Sequence, residues 1–396
     1  MTDLVILVGG RGERLGSITK KVPKPLVKIK DKLFLDLLLC KLIKYNFKKI
    51  FLLCSYKKEI FFNKYHNKKI HNSKIICIDE GNPKDTGGAL HSVRKKISED
   101  FFLMNGDSFF DVNFNLLSNI KLKKDIGVMA LTNNTGYKKN NKMNNLNIDK
   151  SNIIRFSKHK TNLMNGGIYY FKKDIFKYIP NKKISLENEI MNKLITKKMI
   201  KGIYFDNIFI DIGSKDKLSL LRKNSYLLKQ KVAFLDRDGV INRLKPNGYV
   251  ENFTQLKFFS GVADGIKFLN KKGYLVIIIT NQACVGKSII SEKKLNSIHQ
   301  KMKLFFEKKN GAYIDDIFYS PYYKYSKIKK FRLNYMDRKP NKGMFLKAIN
   351  KWNINKKNSF FIGDQPTDYS AARRIGVKFF FKDKNTLLNQ LRKICN

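Results

Sequence analysis

Short apolar runs rich in β-branched residues recur along the chain, separated by stretches in which apolar residues return every three or four positions. The runs Leu4–Val8, Ile50–Cys54, Lys74–Ile78 and Phe101–Met104 lie in the first half, and Val232–Leu235, Leu275–Thr280 and Ser359–Ile362 in the second. Each run has the length of a strand and each intervening stretch the length of a helix, so strands are predicted to alternate with helices. Strands linked in this way form parallel sheets whose faces are covered by the helices. An α/β fold is therefore expected in both halves.

The two sets are separated by a polar, helix-like stretch, Lys215–Lys231, after which a new strand and a new motif start together. The boundary is placed near Gln230, giving domains 1–228 and 231–396. A chain of 396 residues suits two cores of ordinary size. The Asn- and Lys-rich tract Lys138–Lys150 reads as a surface excursion of the first domain, because strand-like segments flank it.

Composition adds limits. Hydrophobic residues at 43% and aromatics at 12% are enough to bury both cores. The net charge of +48 comes from lysines spread along the whole chain among Asn, Ile, Phe and Tyr. There is no concentrated basic arm and no recognisable nucleic-acid module, so the charge reads as compositional bias and no specific nucleic-acid partner is expected. Five cysteines, Cys40, Cys54, Cys77, Cys284 and Cys395, include no CxxC pair, which fits a reducing cytoplasm. The longest apolar stretch, near Tyr274–Thr280, is too short to span a bilayer, and the chain opens in a strand-like run without a basic leader. A cytoplasmic protein with no membrane partner is expected.

The second domain carries the most specific chemistry. Val232–Leu235 runs into Asp236-Arg-Asp238-Gly239-Val-Ile-Asn242, a strand that ends in two carboxylates one residue apart. Open α/β sheets build their sites at strand C-termini. A carboxylate there can attack a phosphoryl group, provided a cation offsets the charge, which makes Asp236 the candidate nucleophile. Side chains two residues apart on an extended segment share a side, so Asp238 can protonate the leaving oxygen and then activate water. Thr280-Asn281-Gln282 ends the next strand in groups suited to phosphate oxygens. Arg338-Lys339-Pro340 offers two cations. Gly363-Asp364-Gln-Pro-Thr-Asp368 ends a third strand in carboxylates that can complete a magnesium site. Singly each motif could be a turn or a cap. In this order, over residues 231 to 396, they resemble the haloacid dehalogenase-like phosphatases.

DRDGVIN, the GYV at Gly248 to Val250, TNQ and RKPNKGM look closest to the heptose bisphosphate and histidinol phosphatase group. The resemblance implies that Asp236, Asp364 and the carbonyl of Asp238 hold magnesium and that Thr280 and Lys339 bind the transferring phosphate. It also implies that Asn242, Tyr249, Asn281, Gln282 and Arg338 bind substrate. Relatives carry a zinc loop before RKP, built from Cys-x-His and Cys-x-Cys. Here the matching positions read Ser320-Pro-Tyr322 and Tyr335-Met-Asp337, so no zinc is expected. Packing among Tyr319, Tyr322, Tyr323, Tyr325 and Tyr335 is expected to hold that loop instead. Ala283-Cys284 follows TNQ where relatives usually have Ser-Gly.

In the first domain Leu4–Val8 is followed by Gly9-Gly10-Arg11-Gly12-Glu13-Arg14-Leu15 and then by Pro23-Lys24-Pro25-Leu26. Glycines let backbone amides approach phosphates, and Arg14 and Lys24 can neutralise a triphosphate. Asp85-Thr-Gly-Gly88-Ala, Asn105-Gly-Asp107-Ser, Asn165-Gly166-Gly-Ile-Tyr169 and Phe209-Ile-Asp211-Ile-Gly213 follow in turn. Spanning roughly residues 1 to 222, this set resembles the sugar-1-phosphate nucleotidyltransferases, and NGDSFFDVN looks closest to the heptose- and mannose-1-phosphate guanylyltransferases. The resemblance implies a Rossmann-like mixed sheet. It further implies magnesium on Asp107 and Asp211, Gly88 against the base, Asn165, Gly166 and Glu187 near the sugar, and Lys158 at the sugar phosphate. Val8, Glu13 and Ser157 depart from the usual residues.

Both resemblances imply manno-heptose phosphates. They predict a magnesium-dependent enzyme whose second domain removes the 7-phosphate of D-glycero-D-manno-heptose 1,7-bisphosphate and whose first domain makes a nucleotide-activated heptose, with GTP as donor. The partners expected are thus sugar phosphates and a nucleoside triphosphate. The same reactions on mannose 1-phosphate or histidinol phosphate are the nearest alternatives, because motifs specify a reaction more firmly than a sugar. A basic scaffold with inactive folds is a further one, against which the intact carboxylates and lysines stand.

Overall fold

The computed structural model describes residues 2–45, 47–70, 73–134, 144–246, 248–332 and 335–395. The chain folds into two compact units, one ending at Leu228 and the other starting at Lys229. The polar stretch from Lys215 forms a helix to Lys223, N-capped by the Ser214 side chain, then a turn over Ser225–Leu228. No helix among the described residues is long and apolar enough to cross a membrane.

In the first unit the described residues form an eight-stranded sheet. Its order is Ile200–Tyr204, Gly127–Thr132, Met164–Phe171, Phe101–Asn105, Asp3–Leu7, Lys49–Cys54, Ser73–Asp79 and Lys69–Ile70. The predicted runs occupy its parallel centre, where Asp3–Leu7 pairs with Lys49–Cys54 on one side and Phe101–Asn105 on the other. Met164–Phe171 runs antiparallel to both its neighbours and makes the sheet mixed. Alternate residues serve opposite cores, as the two-residue period of a strand requires. Leu4 and Ile6 pack with Phe34 and Leu38, while Val5 packs with Leu90 and Leu103. Residues 138–143 of the Asn- and Lys-rich tract lie outside the described residues. Asn144–Ile148, further along it, pairs with Ile154–Thr161 as a separate antiparallel hairpin.

The second unit has five parallel strands in the order Asp316–Ser320, Leu275–Asn281, Val232–Leu235, Phe360–Gly363 and Lys378–Phe381. Ala233, Leu235, Val276 and Ile278 face one core with Ile266, Ile298 and Met302. On the opposite face Phe234 meets Phe345 at 5.1 Å between ring centroids, and Phe345 meets Phe361 at 5.1 Å. Because all five strands point the same way, their C-termini gather at one edge.

Candidate active sites

That edge of the second unit holds most of the predicted phosphatase residues. Asp236 follows Val232–Leu235, Thr280 and Asn281 end Leu275–Asn281, and Asp364 follows Phe360–Gly363. The parallel register sets Leu235 beside both Ile278 and Ile362, and Asp236 N donates to Ile362 O at 2.9 Å. Asp236, Asp238, Thr280, Asn281, Lys339 and Asp364 line a cavity of about 250 Å³, and Tyr249 stands on its wall.

Lys339 is 4% exposed, and its Nζ lies 2.8 Å from Asp236 Oδ1 and 2.7 Å from Asp368 Oδ1. It also donates to Ile279 O at 3.1 Å. The amide of Asn281 locks the loop from the other side, accepting from Lys339 N at 3.0 Å and donating to Lys339 O at 3.1 Å. Burial pushes the Asp236 carboxyl up against the pull of Lys339, and Asp368 and Asp238 push it the same way. A bound dication would reverse that balance and keep the nucleophile ionised.

Asp368, which closes its motif and was expected only as one of the carboxylates able to complete a magnesium site, is fully buried. Its Oδ2 accepts from the backbone N of Asp364 and of Gln365, both at 3.2 Å, so it caps the helix Pro366–Ile375 while its other oxygen faces Lys339. A carboxylate at the third position of a helix that follows a strand-end aspartate is the signal that could have identified its capping role.

These residues fit magnesium. Asp236, Asp364 and Asp368 each bring an oxygen within 4.8 Å of the others, and Asp364 Oδ1 is buried without a hydrogen-bond donor. Hard oxygen donors converging on one point suit a small dication. Gly239 has φ +88°, and a Cβ there would collide with the Asp364 carboxylate, so glycine is what lets the loop pass under the cluster.

Asp238 is held by three residues. Arg237 donates through Nε (3.2 Å) and Nη2 (2.8 Å), Asn242 through Nδ2 (2.9 Å) and Gln282 through Nε2 (2.8 Å). Burial would raise the acid, but Arg237 and these donors outweigh it and hold Asp238 below the usual carboxylate range. Asn242 and Gln282, expected at the substrate, are 0% and 2% exposed and act on Asp238 instead; Gln282 also donates to Thr280 Oγ1 at 2.9 Å. Arg338, also expected at the substrate, has a backbone partner. Its guanidinium donates to the Tyr322 carbonyl at 3.2 Å, in the loop where relatives bind zinc, so of the two expected cations Lys339 is the one that lines the cavity.

The tyrosines of that loop do not form one cluster. Tyr322 packs edge-on to Phe331 and Tyr323 edge-on to Tyr325, whereas Tyr319 turns inward to the His299 ring at 5.6 Å. Lys287 Nζ lies over both Tyr323 (4.9 Å) and Tyr249 (5.3 Å). The Tyr335 side chain lies outside the described residues.

In the first unit the strands Ser108–Phe110 and Phe209–Asp211 pair antiparallel with Asp211 opposite Ser108. This register, with Ile212 N donating to Asp107 O at 2.9 Å, brings Asp107 and Asp211 together. Lys24 is buried and meets Asp107 at 2.5 Å; Lys217 pairs with Asp211. A Cβ on Gly213 would lie 3.1 Å from Arg14 Nη2 and 3.4 Å from Lys24 Nζ, so both predicted cations converge on the carboxylates. Two adjacent carboxylates beside two cations fit a magnesium–triphosphate site.

Gly9, Gly10 and Gly12 form the turn after Asp3–Leu7. Gly88 lies in the helix Asp85–His91, tight against the Lys182 carbonyl. Glu187 accepts from Thr86 Oγ1 at 2.5 Å, Asn165 donates to the Tyr169 hydroxyl at 2.5 Å, and Gly166 lies against the Phe110 ring. Lys158 stands exposed on the separate hairpin. Glu80 belongs to none of the motifs and was missed in the sequence. It is 9% exposed beneath the glycine turn, where a Cβ on Gly9 would come within 2.7 Å of its Oε1, and burial with Asp79 beside it pushes its carboxyl up to about 7.

The chain matches a family model described as nucleotidyl transferase over residues 4–229 and one described as polynucleotide kinase 3 phosphatase over residues 231–385. A D-glycero-alpha-D-manno-heptose 1-phosphate guanylyltransferase from Campylobacter jejuni is 35% identical over 53% of this chain and 93% of that protein. A D-glycero-beta-D-manno-heptose-1,7-bisphosphate 7-phosphatase from Rhodopseudomonas palustris is 37% identical over 38% of this chain and 83% of its own length. A D-glycero-alpha-D-manno-heptose-1,7-bisphosphate 7-phosphatase from Photorhabdus laumondii is 36% identical over 38% of this chain and 80% of its own. The chain therefore belongs to the nucleotidyl transferase family through its first unit and to the haloacid dehalogenase-like phosphatases through its second, and it is an enzyme of both kinds.

Proposed function

We propose that the second unit hydrolyses the 7-phosphate of D-glycero-D-manno-heptose 1,7-bisphosphate and that the first unit transfers GMP from GTP to the resulting heptose 1-phosphate. The observation that supports this most is the convergence of Asp236, Asp238, Lys339 and Asp364 on one cavity, in a chain whose two halves resemble a manno-heptose 1-phosphate guanylyltransferase and manno-heptose 1,7-bisphosphate 7-phosphatases named for both anomers.

Asp236 attacks the phosphorus, the bond to the sugar oxygen breaks, and Asp238 gives that oxygen its proton. The arriving phosphate dianion raises the proton affinity of Asp238, which the clamp otherwise keeps low. Asp238 then takes a proton from water as the water attacks the aspartyl phosphate, and inorganic phosphate leaves. Thr280 and Lys339 hold the non-bridging oxygens. Magnesium on Asp236, Asp364 and the Asp238 carbonyl would offset the charge of nucleophile and phosphate. Hydrolysis at C7 leaves the anomeric carbon untouched, so the resemblance of the first unit to an alpha-heptose 1-phosphate guanylyltransferase supports the α bisphosphate, for which the second unit has an alpha as well as a beta bisphosphate phosphatase among its relatives.

In the first unit an oxygen of the sugar phosphate attacks the α-phosphorus of GTP and pyrophosphate leaves. Arg14 and Lys24 carry the triphosphate charge, and magnesium on Asp107 and Asp211 would share it. Glu80 supports guanine, because a carboxylate accepts from both the N1–H and the 2-amino group of that base, a donor pair adenine lacks.

The test is phosphate release from α and β bisphosphates, and pyrophosphate release from GTP, ATP, CTP or UTP with heptose 1-phosphate, beside mannose 1-phosphate and histidinol phosphate. The heptose substrates, with GTP, should be used about tenfold better or more. Preference for another sugar or for histidinol phosphate would overturn the proposal.

A further inference from the structure

Behind Asp238 the clamp of the phosphatase cavity continues to a buried group that has no part in the chemistry just described. Arg237 is 1% exposed, and His299 is 5% exposed on the helix Glu292–Asn310, one turn of which faces the strand ends. Arg237 Nη1 lies 3.2 Å from His299 Nε2, while its Nε and Nη2 reach Asp238. A guanidinium has donors only, so Nε2 must carry the lone pair, the ring proton sits on Nδ1, and the imidazole is neutral. Burial and the Arg237 charge favour that same state.

The geometry makes the arginine a fork with both ends occupied. One side is fixed by His299 and the other grips the Asp238 carboxylate. A long side chain released at one end regains rotamer freedom, and a buried N–H left without an acceptor is costly. Without His299, Arg237 would turn to find another acceptor and take the Asp238 carboxylate with it. Asn242 and Gln282 would still hold Asp238, each through a single bond to one of its oxygens, where Arg237 reaches both.

We propose that His299 is a positioning residue of the phosphatase: by accepting from Arg237 it fixes the fork that aims the Asp238 carboxyl at the leaving oxygen. The inference rests on Asp238 being the acid–base residue of the reaction proposed above. A purely structural histidine would affect all substrates alike. One that acts through the general acid lowers kcat/KM only for substrates whose leaving oxygen needs a proton, because a p-nitrophenolate departs without one and the later water attack, where Asp238 is the base, does not enter kcat/KM.

The experiment compares kcat/KM of the full chain on the heptose bisphosphate and on p-nitrophenyl phosphate for wild type, Asp238→Asn, His299→Leu, His299→Asn and His299→Gln. Asp238→Asn is the reference and should lose about a hundredfold or more on the sugar ester and far less on the aryl ester. His299→Leu should lose about tenfold on the sugar ester through kcat, with KM held, and stay within about twofold on the aryl ester. His299→Gln, whose amide oxygen can accept from Arg237, should recover most of that loss. His299→Asn, too short to reach, gives the same reading as leucine if the leucine variant does not fold. Equal losses on both esters, or none, would overturn the role of His299 while leaving that of Asp238 intact. A reference variant without leaving-group dependence would instead overturn Asp238 as the acid, and the inference with it.

Discussion

Asp368 Oδ1 stands 2.7 Å from Lys339 Nζ, in an ion pair whose side chains are 1% and 3% exposed. Lys339 therefore keeps a counter-charge when Asp236, its other carboxylate, becomes phosphorylated. Breaking one side of such a buried pair costs about 3–5 kcal/mol. Asp368→Asn keeps an oxygen for the helix cap but removes the charge. It should lower kcat on the bisphosphate by about tenfold or more and reduce the melting temperature of the second unit. Circular dichroism against temperature and phosphate release check the two halves of this prediction. An unchanged kcat would show that Lys339 needs only Asp236.

Magnesium should stabilise the second unit as well as activate it. Asp236, Asp364 and Asp368 crowd within 4.8 Å, and Asp364 Oδ1 lacks a donor, so a dication relieves repulsion present in the folded state and diluted in the unfolded one. Ligand linkage gives about 2.7 kcal/mol at a hundred times Kd. Thermal melts with added magnesium should shift upward in the wild type and much less in Asp364→Asn. Gly239→Ala, whose methyl collides with Asp364, should show the same weakened response.

The strands and motifs were legible because each is local. Val232–Leu235 has the predicted bounds, and the other predicted runs coincide with strands to within about a residue at most ends. Both families could be recognised from strand-end residues whose spacing the backbone dictates. No local pattern marked the antiparallel strand Met164–Phe171, since strand direction is set by the connection and not by the run itself. Partnerships across the fold were equally hidden. Arg237 and His299 are 62 residues apart and Glu80 lies under Gly9, contacts that depend on which helix or strand packs where. The partners of Arg338 and Gln282 were hidden as well: adjacency in a motif suggests a shared target, whereas the side chains donate to the Tyr322 carbonyl and to Asp238, contacts set by how the loops pack.

Glu80 sets function against stability in the first unit. Its carboxyl is pushed up to about 7 from 4.5, chiefly by burial. An acid with a raised folded-state pKa binds more protons folded than unfolded, so stability falls as pH rises from about 4.5 and levels off above 7. The span corresponds to about 3 kcal/mol as an order of magnitude. Glu80→Gln should remove that decline and raise the melting temperature of the unit at pH 8, while weakening the preference for GTP over ATP by about tenfold. Melts at pH 5 and pH 8, with pyrophosphate release from each nucleotide, separate the effects. A variant that keeps its GTP preference would take Glu80 out of base recognition.

His299 predicts the opposite slope for the second unit. Burial, with the Arg237 charge beside it and only partial relief from Asp238, lowers its pKa to about 3 from 6.5. Below pH 6.5 the unfolded chain takes up a proton that the folded chain refuses, so the unfolded state binds more protons and stability falls as pH drops from about 6.5 toward 3. The full loss would be about 5 kcal/mol, of which roughly 2 kcal/mol is already felt near pH 5. The neighbouring Tyr319 does not titrate in this range, its hydroxyl being pushed up to about 12 by burial and by Glu292. His299→Gln keeps the acceptor for Arg237 but cannot protonate. Urea unfolding followed between pH 5 and 7.5 should therefore give a steeper decline for the wild type than for the glutamine variant, with the two curves meeting at the upper end. Parallel curves would mean that His299 is protonated in the folded state, which a ring facing Arg237 at 3.2 Å should not permit.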